Sequence, residues 1–295
     1  MRFQTAVLAT IAAALLSAEA AAQQPDPASI EFKTYRAPVC LRPEGNLGLK
    51  PQDAGKWTAC EQWVWSCIRQ GKEANLYIKE CTNPRPGNSE PNWRKPFQYA
   101  PFFEPERYQH TNALSDGFLR SILADPFYAT QVEPPGVRIF GGYFANHVNF
   151  ENVKTTANLV LDGSIFKQGL RFTNFESSKN ISLDGSNVRG SILLMRARIE
   201  GSLFLQNGVY DTVDTRDTRI GSSLDAPSSV FNDELRIDRA RIDGKINLAK
   251  ARLTVFNAWS AVIGGYVEMR LAALHVQRRR NCRPRKGSKY VRKLV

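Results

Sequence analysis

Two copies of the tetrapeptide Leu-Asp-Gly-Ser, Leu161–Ser164 and Leu183–Ser186, stand 22 residues apart. Carboxylates repeated at a fixed interval can serve three kinds of chemistry. Brought together they hold calcium. Set about 5 to 9.5 Å apart across a sugar they act as an acid–base pair. Followed by Gly they close turns, because Asp accepts local backbone N–H bonds and Gly takes φ > 0. Turn closure is the expectation for Asp162 and Asp184; Asp214, Asp225 and Asp238 sit elsewhere in the same stretch. The three histidines, His110, His147 and His275, are scattered. Nothing resembles a Ser-His-Asp set, a P-loop or a dinucleotide fingerprint. None of the five cysteines has metal-like C-x-x-C spacing, so no metal and no other cofactor is expected.

The other charged candidate is electrostatic. Residues 278–295 hold nine Lys or Arg and no acid, within a chain of net charge +12, so the basic character belongs to the tail. Arg278, Arg279, Arg280, Arg283, Arg285 and Lys286 could hold an anionic envelope surface or acidic polysaccharide, each basic residue near such a surface contributing about 1 kcal/mol. A solvated tail is the plainer reading. So abrupt a change of composition also fits a shifted reading frame, as does the unpaired Cys282.

The elements that would carry these residues begin with a targeting signal. Arg2, the apolar run from Ala6 to Leu16 and the small residues Ala18, Ala20, Ala21 and Ala22 match the layout of a cleavable secretory signal over residues 1–22. The run is shorter than the roughly 20 residues a membrane span needs. An exported protein, periplasmic or secreted and without a transmembrane segment, is expected. Export permits disulfides, and Cys40, Cys60, Cys67 and Cys81 cluster in residues 23–105. Residues 53–71 read as a helix, with Asp53 as N-cap and Gly71 as its end. Trp57, Cys60, Val64 and Cys67 share one face, widened by Trp63 and Ile68. Cysteines seven apart on a helix are separated by about 10 Å, too far to bond to each other. Two pairings remain: Cys40–Cys60 with Cys67–Cys81, or Cys40–Cys67 with Cys60–Cys81. Trp63 and Trp65 could stack on sugars, but a small module needs a core and they are expected to supply it. After a Pro-rich linker, residues 106–136 contain a short helix, Ser115 to Ala124, placed to cap the repeats that begin at Val137.

From Val137 an eleven-residue period appears: Val137, Val148, Leu159, Leu170, Ile181, Ile192 and Leu203, continuing with one-residue slips through Val213, Leu224, Leu235, Ile246, Phe256 and Val267. A second apolar residue comes two positions after most of these, which is the alternation of a short strand. A third recurs six or seven residues on, at Ile165, Val188, Ile199, Val209 and Ile220 among others. Residues 148–169 and 170–191 match over 22 residues, aligning Phe150 with Phe172, Asn152 with Asn174 and Asn158 with Asn180. These periods imply a mainly β fold: a parallel β-helix of about 22 residues per coil and about six coils over residues 137–270, preceded by a small disulfide-linked α-helical module. Equivalent residues then stack about 4.8 Å apart, so that the Asn pairs and the Asp162–Asp184 pair form ladders. Residues 271–295 supply the last cap and the basic tail, with Met269 to Gln277 closing the final coil.

Ile199-Glu200-Gly201-Ser202-Leu203-Phe204-Leu205 and Ile242-Asp243-Gly244-Lys245-Ile246-Asn247-Leu248 resemble the pentapeptide-repeat-like group of bacterial β-helix proteins. The likeness covers residues 137–270. It implies a β-helix and no shared catalytic residues. Some members of that group mimic DNA with an acidic surface, which the coil region here lacks, and an exported chain rarely meets nucleic acid, so none is expected. The function these readings support is a non-catalytic exported repeat protein, an envelope or extracellular interaction scaffold binding anionic surfaces or polysaccharide. A β-helical polysaccharide lyase or glycosidase is the alternative.

Overall fold

The apolar doublets fold as short parallel strands stacked coil on coil, in a computed structural model that describes Cys40, residues 48–50, Asp53, residues 55–76 and residues 113–274. Residues 1–22, Cys81, Cys282, His110, His275 and the basic tail lie outside the described residues. The coils form three parallel sheets of eight, nine and six strands. In the eight-stranded sheet Val137, Leu159, Ile181, Leu203, Leu224, Ile246 and Val267 sit in register. In the nine-stranded sheet Val148, Leu170, Ile192, Val213, Leu235 and Phe256 do so. The fold is a parallel β-solenoid of about six coils at about 22 residues per turn.

The inward side chains explain the period of eleven. Leu161, Phe166, Phe172, Ser177 and Leu183 are all buried and succeed one another at five, six, five and six residues. Each half-coil is thus one short side and one long side. The third apolar position needs a correction. Ile165 pairs with Asn187, and Val188 pairs with Phe166, so the inward column runs Phe166, Val188, Tyr210, Phe231 and Leu253, one residue away from several of the positions expected from spacing. Apolar residues stand on both sides of this strand start, and spacing alone does not separate them. Phe144 stacks on Phe166 with centroids 4.6 Å apart, and Phe150 on Phe172 at 5.0 Å.

The helical module is built differently from its expectation. Helix α1 is Ala59–Arg69, and its N-cap is Thr58, not Asp53. Thr58 and Glu61 form a capping box: Glu61 N–H donates to Thr58 Oγ1 at 3.2 Å and Thr58 N–H to Glu61 Oε2 at 2.8 Å. Asp53 lies before the helix and accepts from the Tyr128 hydroxyl at 2.8 Å. Gly71 does end the helix. It takes φ +62°, its N–H donates to Ile68 O and that of Lys72 to Cys67 O, which is a Schellman closure. A Cβ at Gly71 would come within 2.4 Å of Pro134 O, so the turn also needs the missing side chain for packing. Cys40 and Cys67 are joined by a disulfide with Cα atoms 5.4 Å apart. Trp63 and Trp65 are buried, and Trp65 packs with Trp57 and Tyr128.

The module does not stand apart from the solenoid. Strand β1, Ala74–Asn75, extends the eight-stranded sheet by pairing with β2, Val137–Phe140. One apolar core runs from Cys40 and Trp57 to Leu253. Helix α2, Asp116–Ala124, buries Phe118, Leu119, Ile122 and Leu123 and is capped by Ser115. A short helix α3, Pro126–Ala129, comes next. Arg120 of α2 donates to the backbone carbonyls of Asn149 and Glu151 at 3.0 and 3.2 Å, satisfying the open edge of the first coil. At the other end the described part of the expected closure, residues 269–274, makes another turn and strand, with Met269, Leu271 and Leu274 exposed; residues 275–295 lie outside the described residues.

Glu61 ties the capped end together. It is buried, and besides the Thr58 amide it accepts from Ser115 N–H at 2.8 Å and Ser115 Oγ at 2.6 Å, so one carboxylate serves the N-caps of α1 and α2. Glu61→Ala removes the acceptor shared by the Thr58 and Ser115 amides at two helix N-termini and is expected to lower the unfolding free energy by about 1–3 kcal/mol. Urea unfolding of parent and variant measures this; a change under about 0.5 kcal/mol would remove Glu61 as the joint.

Candidate binding face

The residues singled out for ladders are brought together by the stack. Asn174 Nδ2 donates to Asn152 Oδ1 at 3.0 Å, and both residues take positive φ at the same corner. At the opposite corner Asn158 Oδ1 accepts from Asn180 N–H at 3.3 Å, and Asn180 Oδ1 from Ser202 N–H at 2.8 Å. Asp162 Oδ1 accepts from Asp184 N–H at 3.0 Å and from Ser182 Oγ at 2.6 Å. Asp184 accepts from Gln206 N–H at 2.8 Å and Gln206 Nε2 at 2.9 Å. Each corner side chain thus hydrogen-bonds the coil above it. Gly163 and Gly185 come directly after the acids, at φ +57° and +64°.

Stacking two acids has an electrostatic consequence. Burial raises the Asp162 carboxyl to about 6, against the opposing pull of the Ser182 and Asp184 bonds and the nearby Arg138. Burial and then the charge of Asp162 raise Asp184 further, to about 8. Both carboxyls retain a little exposed surface, which limits the effect, but the direction is fixed by two like charges one coil apart. The pair therefore holds a proton near neutrality. Among the described residues no group of three or more His, Cys, Asp or Glu could hold a metal ion.

The nearest approach to a ligand site lies on the six-stranded sheet. A groove of about 600 Å³ runs between that sheet and the helices α2 and α3. Its wall on the helix side is apolar, with Ala124, Pro126, Ala129 and Val132; its floor is polar, with Lys154, Glu176, Arg198 and Glu200. The floor continues as one outward column in which Lys154, Glu176, Arg198, Arg219 and Arg241 stand in register on successive coils. Lys154 pairs with Glu176 at 3.0 Å. Arg219 and Arg241 share Asp243 at 3.2 and 2.8 Å. Arg198 is exposed and makes no ion pair among the described residues. Four cations thus face three acids, Glu176, Glu200 and Asp243, along one flat sheet. The sequence directs attention to the tail and not to this column. A signal for the column is nonetheless present in the Arg-Ile doublets Arg198-Ile199, Arg219-Ile220 and Arg241-Ile242, each with Arg out and Ile in.

No helix of the described residues is long and apolar enough to cross a membrane. No protein-family model, curated protein or solved structure matches the chain.

The acid pair sets a pH dependence. A carboxyl with its folded pKa above the unfolded value stabilises the fold in the protonated form. That contribution is complete below the ordinary carboxylate range and is lost as pH rises toward about 8. The Tm is expected to fall between pH 5 and pH 8, and Asp184→Asn, which keeps an acceptor for Gln206 N–H, is expected to flatten that fall. Thermal melts of both proteins across this range test it. An equal slope in the variant would show that the pair does not carry the proton.

Proposed function

We propose that the protein is a non-catalytic interaction scaffold of the cell envelope or extracellular space that holds an acidic polysaccharide along its six-stranded face. The observation that carries this is the in-register column Lys154, Glu176, Arg198, Arg219 and Arg241 leading out of the groove. Arg198, Arg219 and Arg241 follow one another at about the rise of one coil, roughly 4.8 Å, a spacing comparable to the length of one sugar residue. An extended anionic polymer laid along the column meets Arg198, which has no ion pair among the described residues, and two arginines that share a single carboxylate. The apolar helical wall offers contact for the sugar faces at the entry of the groove.

The bonding of the acids supports a binding role over a catalytic one. A lyase or glycosidase needs carboxylates converging on the bound polymer. Asp162 and Asp184 belong to the eight-stranded side and spend their oxygens on the next coil. Of the groove acids, Glu176 is paired with Lys154. The leader at residues 1–22 and the cysteine-rich segment support export.

The test is retention on immobilised polygalacturonate and on a neutral glucan over a salt series. Retention on the acidic polymer alone, weakening with salt, is expected. Arg198→Ala/Arg219→Ala/Arg241→Ala changes only exposed side chains and is expected to weaken it by about tenfold or more. Unchanged retention of the triple variant would remove the column as the binding face, and release of shortened polymer would replace the scaffold by an enzyme.

A further inference from the structure

The last coil breaks the polarity of its columns. In the preceding coil Glu234, Asp238, Arg241, Lys245 and Lys250 occupy outward or turn positions. Their equivalents one coil on are Val255, Trp259, Val262, Tyr266 and Leu271. Strand register equates Glu234 with Val255 and Arg241 with Val262. Asp238 and Trp259 accept from successive coils at the same place, as do Lys245 and Tyr266, and Lys250 and Leu271 share the positive-φ corner. Trp259, Tyr266 and Leu271 are 68%, 61% and 72% exposed. The inward Val267, Met269 and Leu274 are also exposed, with no further coil above them among the described residues. The tip is therefore apolar both at its end and around its sides.

We propose that this tip is a membrane-docking surface that seats in the headgroup region of an anionic bilayer. The sideways collar decides between occupants. A second copy stacked end to end would cover Val267, Met269 and Leu274 but leave Trp259, Val262 and Tyr266 in water. It would also bring together two tails of nine cations each. A lipid interface surrounds the tip and wets end and collar alike. Trp and Tyr are the side chains that favour such interfaces. The charges beside the collar are mainly basic: Lys250, Arg252 and Arg270 are exposed, while Glu268 is partly covered and pairs with Arg270 at 3.9 Å. From Leu274 the chain continues into the basic sequence 278–295, so apolar and polybasic signals, which together make stable attachment, are adjacent. The depth also fits. The collar is one coil tall, about 4.8 Å, against the 5–10 Å or so that interfacial elements bury. The outer edges of the last strands need hydrogen-bond partners, which water and headgroups supply and acyl chains do not, so the seat is shallow. This surface meets the six-stranded face only at Val262, one coil beyond Arg241, and does not depend on polysaccharide binding.

The test is sedimentation of the whole chain with vesicles of phosphatidylcholine alone and with added phosphatidylglycerol. Parent and variants carry the same apolar leader, so each comparison isolates the tip. Binding to the anionic vesicles is expected, and Trp259→Ser/Tyr266→Ser/Leu271→Ser is expected to weaken it by about tenfold or more, with circular dichroism and melting unchanged because these side chains are exposed. Tryptophan emission should shift to the blue and be quenched by brominated lipid, an effect that Trp259→Phe removes. Deleting residues 278–295 should weaken binding and its salt sensitivity while leaving Trp259 quenching by the vesicles that remain bound. Equal vesicle binding by the triple variant overturns the proposal, as does no binding by the parent. A parent dimer that the triple variant dissolves, without vesicle binding, assigns the tip to a second copy instead.

Discussion

Every coil must hydrogen-bond the coil above it, and the rest of the molecule is arranged around that obligation. The ladder is continuous: Phe150 N–H donates to Arg171 O, Phe172 to Leu193, Leu194 to Asp214, Thr215 to Arg236 and Ile237 to Asn257, all at 2.7–2.8 Å. Such pairing places each residue beside its own equivalent. Like-on-like contact suits aromatic, aliphatic, Ser and Asn side chains, and opposes like charges. The outward column of the six-stranded sheet meets the rule only in part: Glu176 stands between Lys154 and Arg198, while Arg198, Arg219 and Arg241 stack directly and Asp243 bridges the last two from the side. The Asp162–Asp184 column does not, and its raised protonation is the cost of using acids as corner acceptors twice in succession.

Inside the stack the same obligation explains a departure from the repeat. Ser186 Oγ reaches back to Leu161 O at 2.9 Å, and Ser229 Oγ does the same to Leu205 O. Gly208 occupies that column in the intervening coil and has no hydroxyl. There the Tyr210 hydroxyl donates to Leu183 O at 2.7 Å, in space that a Cβ on Gly208 would enter, 2.1 Å from the phenol oxygen. Gly and Tyr together reproduce what Ser does alone, so the exchange is compensated within the fold.

The coil length, the strand register of the two doublet series and the corner pairs were legible because stacking repeats a residue type at fixed intervals. Three things were not. The inward member of the third strand was hidden by apolar residues on both sides, as Ile165 and Phe166 show. The start of α1 was misplaced because Asp53 and Thr58 are both good caps, and only the reciprocal bond from Glu61 distinguishes them. The role of Glu61 itself depends on Ser115, 54 residues away, and no local pattern announces such a contact. For the binding face, Arg219 and Arg241 looked like ordinary surface charge until register put them in one line with Arg198.

A column constraint makes departures informative. A residue that breaks its column needs a reason, and that reason is either inside the molecule or outside it. Gly208 and Tyr210 find theirs inside, in each other. Trp259, Val262, Tyr266 and Leu271 replace charged residues at outward positions and pack on no further coil among the described residues. At the opposite end the first coil is closed by β1, by Arg120 on the edge carbonyls and by two helices fastened at Glu61. The asymmetry between a fully partnered end and an apolar one is what distinguishes the two ends of this solenoid.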